Sequence, residues 1–105
     1  PNLKPAQSQH RERNAHHLYV VRIDYQALGK SRNAFMRALR ERSILCQVHY
    51  IPAHMQPYYK TLGFEDKVFP VAERYYESVI SLPLFPALAV AQQDTVVDEL
   101  RKALA

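Results

Sequence analysis

Cysteine, glycine and long apolar runs are all scarce in this sequence. The single cysteine, Cys46, cannot form an internal disulfide, which fits a reducing cytoplasm. No apolar run is long enough to span a membrane, and the polar N-terminus lacks the apolar centre of a signal peptide. We therefore expect a cytoplasmic chain with no membrane partner.

Several catalytic motifs are missing as well. The sequence contains neither a glycine-rich phosphate loop nor a serine nucleophile elbow. No lysine lies in an apolar run of the kind that prepares a lysine for Schiff-base chemistry. From the residues alone we predict no complete catalytic set.

The histidines and the cysteine do not combine into a metal site. His49 and His54 are close in sequence, but tetrahedral sites need three or four ligands. Cys46 is expected on the opposite strand face from His49, and no acidic residue lies between Cys46 and Phe64. We therefore expect no bound metal, and hydrogen bonding to a ligand suits these imidazoles better.

The charge is unevenly spread along the chain. Residues 1–42 carry nine Lys and Arg against three Asp and Glu, a balance of +6, whereas residues 43–105 carry five against seven, a balance of −2. A basic half attracts nucleic acid or phosphate, but no nucleic-acid motif accompanies it. We favour a solvated face and no nucleic-acid partner; a phosphate-bearing small ligand is the alternative.

Hydrophobic patterning predicts one α/β domain. The 105 residues are 48% hydrophobic, enough for a single core. Residues 1–14 are polar and predict a linker or truncated end, and residues 15–105 predict the domain. The order of elements predicts a two-layer sandwich with a small three-stranded sheet. We expect strands at 17–23, 44–50 and 79–82, helices at 32–42, 57–62 and from Pro70, and a last helix capped by Asp94.

Residues 48–59 form the most informative stretch. Pro52 and Pro57 interrupt regular structure and predict a pre-shaped loop, the kind of segment in which binding groups tend to lie. The predicted strand before it delivers a histidine and a tyrosine to its C-terminal end. A histidine satisfied at a sheet edge and tyrosines that serve as core aromatics are the competing interpretations. The candidate ligand-binding residues are His49, Tyr50, His54, Gln56 and Tyr58.

Five blocks of residues occur in one order along the chain: HLYVVR at 17–22, SRNAFM at 31–36, VHYIPAHMQPYY at 48–59, FPVAE at 69–73 and SLPLFP at 81–86. Together they resemble the C-terminal part of the DegT/DnrJ/EryC1/StrS nucleotide-sugar aminotransferases. The resemblance covers about residues 15–105 and is nearest to the transaminases of pseudaminic acid synthesis, which act on a UDP-linked 4-keto-6-deoxy sugar. One departure is Ser43, where relatives usually have glycine before the isoleucine.

The resemblance implies the small C-terminal domain of a fold-type I, PLP-dependent enzyme. Such an enzyme is a homodimer whose N-terminal domain holds PLP on a lysine, so the PLP-binding domain would be the missing partner. It also implies that His49, Tyr50 and nearby His54 face a nucleotide-sugar substrate, and that the amino donor is glutamate. We expect this chain alone to bind no PLP and to be inactive.

A different class of function competes with this one. The chain would then be an independent small binding or interaction module that reuses the fold. The upstream reading frame distinguishes the two, because the first hypothesis requires further domains in the same polypeptide.

Overall fold

The computed structural model describes residues 2–6 and 15–105 and confirms a small α/β fold with a three-stranded antiparallel sheet. The strands are β1 (Leu3–Pro5), β2 (Tyr19–Ile23) and β3 (Val79–Leu82). The helices are α1 (Arg32–Arg40), α2 (Pro57–Tyr59), α3 (Pro70–Ser78) and α4 (Val90–Leu104). A 3₁₀ turn at Ala53–Met55 precedes α2, and a π turn at Lys60–Phe64 follows it. No helix in the described part of the chain is long and apolar enough to cross a membrane.

The strand β2 lies at the centre of the sheet, between β1 and β3. One face of β2 is buried through Val21 and Ile23, whereas on the other face Val20 is half-buried and Arg22 is exposed. In register, Val21 pairs with Ile80 and Arg22 with Val79. Val21 and Ile80 are buried and form the part of the hydrophobic core that the sheet contributes.

Two parts of the predicted sheet differ from the structure. The predicted strand at 44–50 is reduced to one bridge, from Gln47 to Ser81, at the outer edge of β3. The third strand is instead Leu3–Pro5, which pairs with β2. This strand lies in the segment that was predicted to be a linker. A short edge strand can pair through its backbone without an alternating apolar pattern, and proline is tolerated in an edge strand. Pro1 and residues 7–14 of that linker lie outside the described residues.

The core lies between the sheet and the pair α1 and α4. From α1, Phe35 and Leu39 are fully buried, and from α4, Val96 and Leu100 pack against the same cluster. Cys46 is buried in the same cluster. The prediction that Asp94 caps the last helix is wrong. The helix begins at Val90, because the Gln92 side chain accepts a hydrogen bond from the Ala89 N–H (2.9 Å) and closes the first turn earlier.

The turn after α1 redirects the chain toward the candidate site. The Ile44 N–H donates to the Leu39 carbonyl (2.9 Å) and the Ser43 N–H to the Arg40 carbonyl (2.9 Å), the two bonds of a Schellman motif. Ser43 has φ +63°, the left-handed conformation that favours glycine at this position. Ile44 and Leu39 are both buried, which gives the motif its usual hydrophobic contact.

Candidate functional site

His49 stands at the border between core and solvent. Its Nδ1 lies 2.8 Å from the hydroxyl of Ser81, which is buried in the middle of β3. A β-bridge between Gln47 and Ser81 brings His49 close to the serine, because Gln47 lies only two residues before the histidine. The ring is half-buried, so one side of it is held by the sheet.

Tyr50 extends this arrangement into solvent. Its ring meets the His49 ring edge to face, with centroids 4.7 Å apart and planes at 81°. The tyrosine is 73% exposed, so the phenol is held at its base and open at its tip. An imidazole and a phenol side by side offer two hydrogen-bonding groups to a polar ligand.

His54 occupies a different environment. Its side chain is only 11% exposed, its Nε2 lies 3.0 Å from Glu73 Oε1, and its ring packs on Phe69 at 4.6 Å. Glu73 Oε1 also accepts a hydrogen bond from the Phe69 N–H (2.9 Å). That backbone bond, with help from His54, holds the pKa of the Glu73 carboxyl below its ordinary value. His54 thereby fastens the 3₁₀ turn to the start of α3.

The other two predicted residues lie further along the same segment. Gln56 is half-buried between the 3₁₀ turn and α2, and its backbone carbonyl accepts the Lys60 N–H at 3.1 Å. Tyr58 is 68% exposed and meets Tyr59 edge to face at 5.5 Å. Their role as binding residues stays a prediction.

We call residues 49–71 the aromatic segment. None of its residues is buried. It holds ten of the seventeen large hydrophobic side chains that are exposed among the described residues, a density that scattered surface residues do not reach. The ten are Tyr50, Ile51, Met55, Tyr58, Tyr59, Leu62, Phe64, Val68, Phe69 and Val71.

The lysines of this chain lie on its surface. All five lysines are exposed; Lys30 donates to the Ala103 carbonyl (2.9 Å) and Lys102 to Glu99 (2.6 Å). A PLP lysine needs an enclosed pocket that also holds the phosphate. Among the described residues, no three His, Cys, Asp or Glu side chains are grouped as metal ligands.

Arg22, for which a phosphate or carboxylate contact is a secondary interpretation, is exposed on β2. It lines an open groove of about 890 Å³ together with Lys4 and Arg74. Asp24 and Glu77 line the same groove, so the charges there are mixed.

Comparison with known proteins decides the family. The profile of the DegT/DnrJ/EryC1/StrS aminotransferase family matches residues 1–101. The chain belongs to this family. A curated member, the spore coat polysaccharide biosynthesis protein SpsC of Bacillus subtilis (strain 168), is 40% identical over 91 residues, which are 85% of this chain and 23% of SpsC.

Solved family structures share the fold. Helicobacter pylori PseC, an aminotransferase involved in the biosynthesis of pseudoaminic acid, superposes with a TM-score of 0.82 at 24% identity. The superposition covers 99% of this chain and 28% of PseC. The putative sugar aminotransferase Spr1654 of Streptococcus pneumoniae, solved in a PLP form, gives 0.83 at 28% identity, over 98% of this chain and 26% of Spr1654. The chain thus spans about a quarter of the length of these relatives.

Proposed function

We propose that this chain is the substrate-covering C-terminal domain of a PLP-dependent transaminase. The parent enzyme would move an amino group from glutamate to a nucleotide-linked 4-keto-6-deoxy sugar. Its nearest functional counterpart would be the UDP-4-amino-4,6-dideoxy-N-acetyl-beta-L-altrosamine transaminase of pseudaminic acid biosynthesis. PLP and the lysine that carries it would belong to an N-terminal domain, and the working enzyme would be a cytoplasmic homodimer.

One observation carries the proposal: the aromatic segment, which begins with His49 and Tyr50, contains no buried residue. A surface with this many apolar side chains is typical of an interface or a ligand-binding face. The accessible surface of the chain is 8084 Å², whereas a compact monomer of 12.2 kDa exposes roughly 6,100 Å². An excess of this sign supports a domain with an apolar face that another polypeptide region covers.

In this proposal the side chains divide into two roles. His49 and Tyr50 hydrogen-bond oxygens of the sugar nucleotide, and Gln56 and Tyr58 contact it further along the loop. His54 holds the loop through Glu73, at 3.0 Å, so that these groups keep their spacing. PLP, when bound to the parent enzyme, supplies the electron sink for amino transfer. The exposed apolar side chains exclude water once the site closes.

The first test compares this chain with the full polypeptide that its reading frame encodes. We expect the full polypeptide to retain PLP through gel filtration and to transfer the amino group of glutamate to the keto sugar. We expect the 105-residue chain alone to do neither. Turnover by the chain alone would contradict the domain assignment, and a full polypeptide without transaminase activity would contradict the function.

The second test asks whether the phenol of Tyr50 binds substrate. In the full polypeptide, Tyr50→Phe should raise the KM for the keto sugar about three- to tenfold, because one hydrogen bond is lost. Tyr75→Phe is the matched control, since Tyr75 lies on α3 and is 41% exposed. Equal KM values for the two variants would remove Tyr50 from the site.

A further inference from the structure

Ser81 stands apart from the rest of the core. It is 4% exposed and is the one buried polar side chain that the structure records in the described residues. Its neighbours on β3, Ile80 and Leu82, belong to the hydrophobic core or pack against it. A hydroxyl in such a place needs a hydrogen-bond partner, because buried polar groups are almost always paired.

The partner of Ser81 is His49. Within the described residues the Ser81 hydroxyl takes part in one hydrogen bond, to His49 Nδ1 at 2.8 Å. The backbone enforces this meeting: the Ser81 N–H donates to the Gln47 carbonyl (2.7 Å), and the Gln47 N–H donates to the Ser81 carbonyl (3.1 Å). Backbone hydrogen bonds therefore hold Ser81 and His49 next to each other.

We propose that Ser81 is the positioning residue for His49. Since Nδ1 is the only acceptor that the hydroxyl meets among the described residues, the hydroxyl donates to Nδ1 and the neutral ring carries its proton on Nε2. Nε2–H is then the group left for a ligand, and it selects an acceptor oxygen of a hydroxyl, carbonyl or phosphate. The identity of that ligand as a sugar nucleotide rests on the proposed function; the tautomer does not.

The tautomer can be read directly. The ring nitrogens of the ¹⁵N-labelled 105-residue chain are assigned by long-range ¹H–¹⁵N correlation at a pH where the ring is neutral. We expect His49 to carry its proton on Nε2, with Nδ1 shifted as a hydrogen-bonded acceptor. Ser81→Ala should move Nδ1 toward the position of an unbonded nitrogen, whereas Ser81→Thr should keep it.

Ser78→Ala is the matched control, because the Ser78 hydroxyl donates to the Tyr75 carbonyl (3.0 Å) and does not contact His49. Circular dichroism checks that each variant is folded. If Ser81→Ala does not fold, Ser81→Thr and Ser81→Cys carry the comparison, since the first retains a strong donor and the second a weak one. A proton on Nδ1 in the wild-type chain, or an unchanged Nδ1 in the variants that lose the hydroxyl, overturns the proposal.

A kinetic measurement in the full polypeptide separates this inference from the proposed function. Ser81→Ala should raise the KM for the keto sugar about three- to tenfold with a smaller change in kcat, and Ser81→Thr should restore it. An NMR change without a KM change overturns the part of the proposal that links Ser81 to the ligand. Absence of transaminase activity in the wild-type polypeptide would refute the proposed function and leave the tautomer result standing.

Discussion

The core and the aromatic segment are both rich in apolar side chains, yet only the core is shielded from solvent. Val21, Phe35, Leu39 and Ile80 are each at most 1% exposed, because two helices and a sheet close over them. In residues 49–71 no side chain is buried, although tyrosine, phenylalanine and valine recur along it. Apolar content therefore does not decide burial; coverage by another element does.

The two regions are also held by different forces. The core is held by the hydrophobic effect and close packing, which need no particular partner. The aromatic segment is held by prolines and by specific polar contacts, namely His49 to Ser81 at 2.8 Å and His54 to Glu73 at 3.0 Å. A few directed contacts can thus order a surface that its own domain leaves uncovered.

The largest effect should come from one leucine of the core. Leu39 is 0% exposed, so Leu39→Ala should lower the free energy of unfolding by about 2–5 kcal/mol. The same change at Leu45, which is 62% exposed, should alter it by less than about 0.5 kcal/mol. Urea unfolding followed by circular dichroism measures both. Equal losses would show that the Leu45 side chain is packed against the core in solution.

A second difference between the regions is chemical access. Burial raises the pKa of the Cys46 thiol from 9.0 to about 11, because the thiolate is poorly solvated in the core. At pH 8 the native thiol should react with a disulfide reagent at least about tenfold more slowly than the same thiol in urea, because its smaller thiolate fraction outweighs the higher nucleophilicity of that thiolate. Equal rates in native and unfolded chain would mean that this side of the core opens freely.

The regular elements follow from sequence pattern, because each carries its own periodicity. The strand at 79–82 and the helix starts at Arg32, Pro57 and Pro70 agree with prediction. Leu3–Pro5 was not predicted, since three residues that pair at an edge have no period to detect. The 44–50 segment alternates like a strand, but His49 turns to Ser81 and Pro52 lacks the N–H that a ladder needs.

The candidate site also has features that the sequence predicts and features that it does not. That His49 and Tyr50 adjoin each other is evident from the sequence, as is the proline-bounded loop. Their supports are not, because Ser81 lies 32 residues from His49 and Glu73 lies 19 residues from His54. Such pairs come from tertiary packing, and a buried serine in a strand gives only a weak signal of an unseen partner.

Glu73 offers a way to loosen the aromatic segment alone. Its folded pKa is lowered, so its contribution to stability is present above the unfolded value of about 4.5 and is lost as the pH falls through the folded pKa. Glu73→Gln should remove this acid-dependent part of the thermal midpoint. Phe69 and His54 signals should shift in the NMR spectrum while those of Leu39 stay unchanged.

Glu65→Gln is the control for that change, because Glu65 is exposed and makes no side-chain hydrogen bond recorded within residues 2–6 and 15–105. Its midpoint should follow the wild-type pH profile. A Glu73→Gln profile that also follows the wild type would mean that the turn at residues 53–55 is held by packing on Phe69 rather than by the carboxylate.

The smallest effect should come from the turn that joins the two regions. Ser43 has φ +63°, a conformation that costs a residue with a side chain about 1–2 kcal/mol. Ser43→Gly relieves this cost but adds about 0.5–1 kcal/mol of chain entropy to the unfolded state, so the net stabilisation should be at most about 1.5 kcal/mol. Ser78→Gly, at the end of α3, should instead destabilise by about 0.5 kcal/mol. A loss of stability in Ser43→Gly would show that the serine side chain, rather than the backbone, holds this turn.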